Sequence, residues 1–148
     1  MSLIERTFIL IKPDKVNSEL AMTDLISSIN KNGLIVIRYD LIKLDPECID
    51  YLYPDKATSK YKDENVKYMT SGDCGLLQIL GDNSIRKMLL IKGKTNSFGM
   101  RKKYSKDFIY NGFHCPDSQN DCLRELDIIR VGGEINVRNR TDLLKNLL

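Results

Sequence analysis

The run Thr7-Phe8-Ile9-Leu10-Ile11 shows no polar alternation. A strand with one wet face alternates apolar and polar residues. A strand covered on both faces reads as a continuous apolar, β-branched run. This stretch therefore predicts a strand buried on both sides, and any fold of the chain has to surround it. Lys12-Pro13-Asp14 ends the strand, because proline has no N–H to give to a ladder.

The rest of the chain supplies further strands and helices. Met22, Leu25, Ile26 and Ile29 recur at helical spacing and predict a helix over 19–31, capped by Ser18 and stopped by Asn32-Gly33. Residues 34–44 alternate and predict a second strand. Asp45-Pro46 opens a short helix. The polar, lysine-rich residues 54–63 read as an exposed connection or a helical hairpin, and 63–69 are weakly helical. Residues 74–80 predict a third strand. Gly81-Asp82-Asn83 starts a helix carrying Ile85, Met88 and Leu89, which Gly93 ends. Residues 94–107 are basic and read as irregular. Phe108-Ile109-Tyr110 is a short apolar run before a turn, and a helix follows over 118–129 until Val131-Gly132-Gly133 breaks it.

The order is β-α-β-(αα)-β-α-β-α. A four-stranded antiparallel sheet with helices on one face, the ferredoxin-like α+β plan, fits this count. The 148 residues suit a single domain over 1–148, in which 130–148 form a C-terminal tail with a short helix from Thr141.

Charge and cysteine usage narrow the function classes. The net charge is +3, with Lys and Arg interleaved among Asp and Glu, so nothing announces a polyanion partner. No apolar run approaches the roughly 20 residues of a membrane span. The opening residues lack the pattern of a secretory signal, and the expected location is cytoplasmic. Cys48, Cys74, Cys115 and Cys122 form no C-x-x-C pair, and with one histidine a zinc site is poorly supplied. Free thiols in a reducing compartment are expected.

That one histidine, His114, stands in Asn111-Gly112-Phe113-His114-Cys115-Pro116-Asp117-Ser118, between a short apolar run and a helix start. A helix N-terminus offers free N–H groups to an anion. A lone histidine reads either as a surface or satisfied core residue or as a nucleophile. Gly93-Lys94-Thr95 resembles the end of a phosphate-binding P-loop but fails, because Met88 occupies the first glycine position and the segment follows a helix.

Three blocks together resemble the nucleoside diphosphate kinase family. They are Glu5-Arg6-Thr7-Phe8-Ile9-Leu10-Ile11-Lys12-Pro13-Asp14, Val66-Lys67-Tyr68-Met69-Thr70-Ser71-Gly72, and Asn111-Gly112-Phe113-His114 followed by Asp117-Ser118. They occur in family order and cover roughly residues 4 to 129. The resemblance implies transfer of a γ-phosphoryl group from a nucleoside triphosphate to a nucleoside diphosphate, by ping-pong through a phosphohistidine. It implies His114 as nucleophile, Glu125 as the carboxylate that positions it, and Lys12 as a phosphoryl contact. It implies Arg101 and Thr95 as phosphate contacts and Asn111 as a ribose or phosphate contact. Tyr61 would stack on the base with Phe108 opposite, and Tyr53 matches a tyrosine near the lysine. Mg²⁺ would bridge the phosphates with few direct protein ligands, Asp117 being the candidate for an outer contact.

Three departures accompany the match. Leu89 stands where the family has a second phosphate-binding arginine, with Arg86 and Lys92 three residues to either side as possible substitutes. Pro116 stands where the family has a serine. The 94–101 loop is short. That loop helps build threefold contacts in the family, so a homo-oligomer, a dimer at least, is implied and the hexamer is left open. Two other readings compete: a weakly active member that binds nucleotide or protein, and a ferredoxin-like module binding single-stranded nucleic acid through Arg101, Lys102, Lys103 and sheet aromatics. The latter leaves the placement of His114, Asn111 and Glu125 unexplained, so nucleic acid ranks last among partners and no membrane partner is expected.

Overall fold

The computed structural model describes the backbone of residues 4–135 and the side chains of residues 4–130. Most of the tail, including the helix expected from Thr141, lies outside the described residues. In chain order the elements are β1 (Ile4–Ile11), α1 (Pro13–Val16), α2 (Glu19–Lys31), β2 (Ile35–Leu44), α3 (Pro46–Leu52), α4 (Pro54–Ala57), α5 (Lys62–Met69), β3 (Cys74–Asp82), α6 (Ser84–Lys92), α7 (Gly99–Tyr104), β4 (Phe113–His114), α8 (Gln119–Gly132) and β5 (Gly133–Ile135).

The strands form an antiparallel sheet of order β4-β1-β3-β2-β5. Its first four members are the expected ferredoxin-like sheet. β1 pairs with β3 from Ile4↔Asp82 to Ile11↔Gly75, and with β4 through Leu10↔His114 and Ile11↔Phe113. β5 is an addition that pairs with the end of β2 through Ile42↔Ile135 and Leu44↔Gly133.

β1 is buried on both faces, and this corrects the expectation of helices on one face only. Successive side chains of a strand point to opposite sides. Ile9 and Ile11 join a core with Met22, Leu25 and Ile29 of α2, Met88 of α6 and Met100 of α7. Phe8 and Leu10 join a second core with Ile49 and Leu52 of α3, Tyr68 and Met69 of α5, and Cys122 and Ile129 of α8. Each fully buried side chain of this strand contributes roughly 1.5–3 kcal/mol relative to exposure. With both faces of β1 covered, this strand leaves no open surface to carry nucleic-acid bases.

The helix caps follow the sequence. Ser18 Oγ accepts from the N–H of Ala21, Asp45 Oδ1 from that of Cys48, and Ser118 Oγ from that of Asp121. Residues 54–63 take the hairpin form, with α4 turning into α5.

Two segments differ from expectation. Phe108-Ile109-Tyr110 is a bend, not a strand. The Asp107 carboxylate accepts from the N–H groups of Ile109 and Tyr110 at 2.9 and 2.8 Å, which satisfies them locally and curls the chain. The pairing strand is instead Phe113–His114, entered through Gly112 at φ +78°. The basic segment read as irregular contains α7. Gly93 and Gly99, at φ +72° and +76°, fold the loop so that Lys94 and Phe98 bridge, and α7 starts from there. α7 buries Met100 and half-buries Tyr104, too few apolar positions to register as a period.

A Cβ added at Gly93 would stand 1.9 Å from the Phe98 carbonyl oxygen, in a backbone conformation that L-residues rarely adopt. Gly93→Ala is expected to destabilise the protein by at least about 2 kcal/mol, read as a lower urea midpoint at unchanged slope. An unchanged midpoint would show that the loop is not closed on itself in this way.

Candidate active site

Strand alternation sets the orientation of the imidazole. Phe113 enters the core shared with α2, so His114 points to the opposite face, beside Phe8 and Tyr53. Its ring meets the Tyr53 ring edge-on at 5.2 Å between centroids. On α8 the buried positions are Cys122, Glu125 and Ile129, spaced three and four apart. Glu125 therefore sits on the core face of its helix, and its Oε1 accepts a hydrogen bond from His114 Nε2. The Arg124 guanidinium approaches Glu125 Oε2 at 3.9 Å. Pro116, beside His114, has no N–H to offer.

Burial holds His114 below the ordinary imidazole value of 6.5. Glu125 opposes that shift, and the cations Lys12 and Arg101 add to it. The ring is thus neutral near pH 7. With Nε2 donating to a carboxylate, which only accepts, Nδ1 carries the lone pair. Cys115 lies next to the nucleophile candidate, but burial pushes its thiol up to about 12, so it stays protonated.

Lys12 follows Phe8 and Leu10 on the same side of β1 and is fully buried. Its Nζ donates to Asn111 Oδ1 at 2.6 Å and lies 5.0 Å over the Tyr53 ring and 5.7 Å over the Tyr68 ring. Burial, Lys56 and Arg101, in that order, hold its pKa well below the usual lysine value. Asn111 Nδ2 donates in turn to the Phe108 carbonyl at 2.9 Å. Lys12 thus anchors the 108–111 bend from beneath. Arg101 Nε donates to the Phe113 carbonyl at 2.9 Å, which ties α7 to β4 beside the histidine.

These groups surround a cleft of about 570 Å³. Of the residues singled out in the sequence, His114, Tyr53, Lys92, Thr95, Arg101, Phe108, Asn111 and Asp117 line it. Glu125 stands behind the histidine. Lys12 lies under the lining, not on it. Tyr61 and Arg86 are exposed and outside the lining, so of the two substitutes for the missing guanidinium only Lys92 reaches the cleft. Leu89 packs against the apolar core, as its side chain requires. Lys56 and Lys94 also line the cleft and were not singled out. Lys56 fell in a lysine-rich stretch that read as exposed, and a surface lysine carries no periodic signal.

Among the described residues no group of three or more His, Cys, Asp or Glu is arranged to hold a metal ion. The cleft instead offers two carboxylates, Asp55 and Asp117, among basic side chains. That suits a divalent cation brought in on phosphates. No described helix is long and apolar enough to cross a membrane.

A family model described as nucleoside diphosphate kinase matches residues 5–133. This chain belongs to that family. The nucleoside diphosphate kinase of Sulfurisphaera tokodaii is 30% identical over 130 residues, covering 84% of this chain and 88% of that protein. That of Ignicoccus hospitalis is 29% identical over 137 residues, covering 89% and 92%. In fold, the chain resembles the crystal structure of the Aquifex aeolicus nucleoside diphosphate kinase, with a TM-score of 0.74 at 21% identity, covering 86% of this chain and 95% of that one. It also resembles the Halobacterium salinarum nucleoside diphosphate kinase in complex with CDP, with a TM-score of 0.75 at 23% identity, covering 85% and 87%. Membership favours phosphotransfer over the binding-module and nucleic-acid readings.

With a single histidine in the chain, imidazole titration by NMR is unambiguous. His114 is expected to titrate below 6.5, and Glu125→Gln to lower it further, because Glu125 is the group that raises it. The unfolded chain then binds the proton first as pH falls. The stability this group contributes is complete above about 6.5 and is lost as pH drops below it. A parent titration above 6.5, or a rise in the variant, contradicts the neutral ring.

Proposed function

We propose that the cleft binds nucleoside di- and triphosphates and that His114 carries the γ-phosphoryl group between them. The observation that carries this reading is the buried Glu125 carboxylate on Nε2 of a neutral His114 at the cleft wall. A neutral imidazole locked in one tautomer is a nucleophile at its other nitrogen.

In the first half-reaction Nδ1 attacks the γ-phosphorus. The N–P bond forms as the bond from that phosphorus to the β–γ bridging oxygen breaks, and the nucleoside diphosphate leaves with the bond's electrons. In the second half a β-phosphate oxygen of another nucleoside diphosphate attacks the phosphorus on Nδ1. The O–P bond forms as the N–P bond breaks, and that bond's electrons return to the ring as the Nδ1 lone pair. Positive charge that develops on the ring is met by Glu125. Charge on the phosphoryl oxygens is met by groups set in place beforehand, which is where most of the rate in such transfers arises. Arg101, Lys92 and Lys94 from the α6–α7 side and the Thr95 hydroxyl are the donors for it. Mg²⁺ bound with the nucleotide would neutralise phosphate charge, and Asp117, which lines the cleft, would be an outer contact for it. The exposed Phe108 ring at the cleft offers a face to a base of any identity.

A homo-oligomer, a dimer at least, belongs to this reading. It is supported by Ile35 and Ile37, which stand exposed on β2. A cytoplasmic setting is supported by four buried cysteines that remain free thiols.

The test is incubation with γ-labelled ATP and Mg²⁺. Acid-labile, base-stable label is expected on the protein, chasing into GTP on addition of GDP. His114→Ala is expected to abolish it. An unlabelled parent, or equal label on the variant, overturns the reading.

A further inference from the structure

The cleft has lost one cation and gained another. Leu89 occupies the α6 position expected to carry a phosphate-binding arginine, and it is partly buried against the core. Across the cleft, α4 contributes Lys56, a residue outside every motif that marks the family here. Its Nζ lies 5.0 Å over the Tyr53 ring, which itself neighbours the His114 ring at 5.2 Å. The same ammonium donates to the Phe108 carbonyl at 3.5 Å, a long hydrogen bond. The ammonium is therefore held between the two jaws of the cleft by an aromatic face and a weak acceptor.

Its electrostatic surroundings are unfavourable to a cation. Burial lowers its pKa first, Arg101 lowers it next, and Asp107 only partly compensates. Lys56 is in turn the leading charge against Lys12. Lys12, Lys56 and Arg101 thus converge around Tyr53, and the carboxylates that act on them, Asp14, Asp107 and Asp117, offset their mutual repulsion and burial only in part. Like charges held together with incomplete counter-charge cost stability, and an anion brought in among them relieves that cost.

We propose that Lys56 is a phosphate-contacting residue of this cleft, supplying from α4 the charge that Leu89 withholds on α6. Its ligand is the phosphate chain of the nucleoside di- or triphosphate, and its charge, not its bulk, is what counts. The inference rests on the phosphotransfer reading above but is measured by binding, which needs no turnover.

The experiment compares the parent with Lys56→Met, which keeps the aliphatic stem over Tyr53 and removes the charge, and with Lys56→Arg. Calorimetry is run with ADP and with adenosine. Lys56→Met is expected to weaken ADP binding about tenfold, a change of about 1.4 kcal/mol, and to leave adenosine binding unchanged. Lys56→Arg is expected to restore ADP binding to within about twofold, and the salt dependence of ADP binding is expected to be shallower in Lys56→Met than in the parent. ADP binding unchanged in Lys56→Met overturns the proposal. So does an equal loss for ADP and adenosine, which marks a prop between the jaws. Phosphohistidine labelling that fails in the parent while ADP binding still depends on Lys56 would sink the kinase reading alone. A parent that binds no ADP sinks both.

Discussion

A carboxylate buried against an imidazole is the contact around which this molecule is arranged. Glu125 occupies a core position of α8, where an apolar residue would pack better, and taking a charge out of water is costly unless it is hydrogen-bonded. The hydrogen bond from His114 Nε2 meets that need, and it sets the tautomer of the ring. Holding the pair requires β4 to be pinned to β1 and α8 to lie across the same face. The double burial of β1 secures both, because Phe8 and Leu10 form the floor on which Cys122 and Ile129 pack.

The cations around the cleft fall into two kinds. Lys12 and Arg101 are tied into the backbone or into buried amides, and they shape the site as much as they charge it. Lys56, Lys92 and Lys94 reach the cleft as single ammonium charges. A lysine is a point charge on a long stem and does not reproduce the fork of a guanidinium. The cleft therefore presents more separate charges and fewer paired donors, and separate ammonium charges are screened by salt.

Much of the site was legible because its residues sit in contiguous blocks with strong local constraints. Lys12-Pro13-Asp14 ends a strand, and Asn111 to Ser118 joins a bend, a glycine turn, a short strand and a helix cap. What was not legible depends on contacts between blocks. Asp107 capping two amides turns an apolar run away from the sheet, which hydrophobicity does not report. Lys12 is expected as a phosphoryl contact, yet nothing local reports that Tyr53, Tyr68 and the amide of Asn111 surround it and bury it fully. Tyr61 aligns with a stacking aromatic, yet the turn between α4 and α5 leaves it outside the cleft lining.

The first three strands, the doubly buried β1 and the helix caps are properties of local pattern, so the sequence alone determined them. The tertiary structure decided which side chains share the cleft and which do not. It seated Lys12 beneath the lining, set Leu89 against the core and brought Lys56 across from α4. Those outcomes follow from side-chain direction and burial between segments some 30 to 100 residues apart, and no local period encodes them.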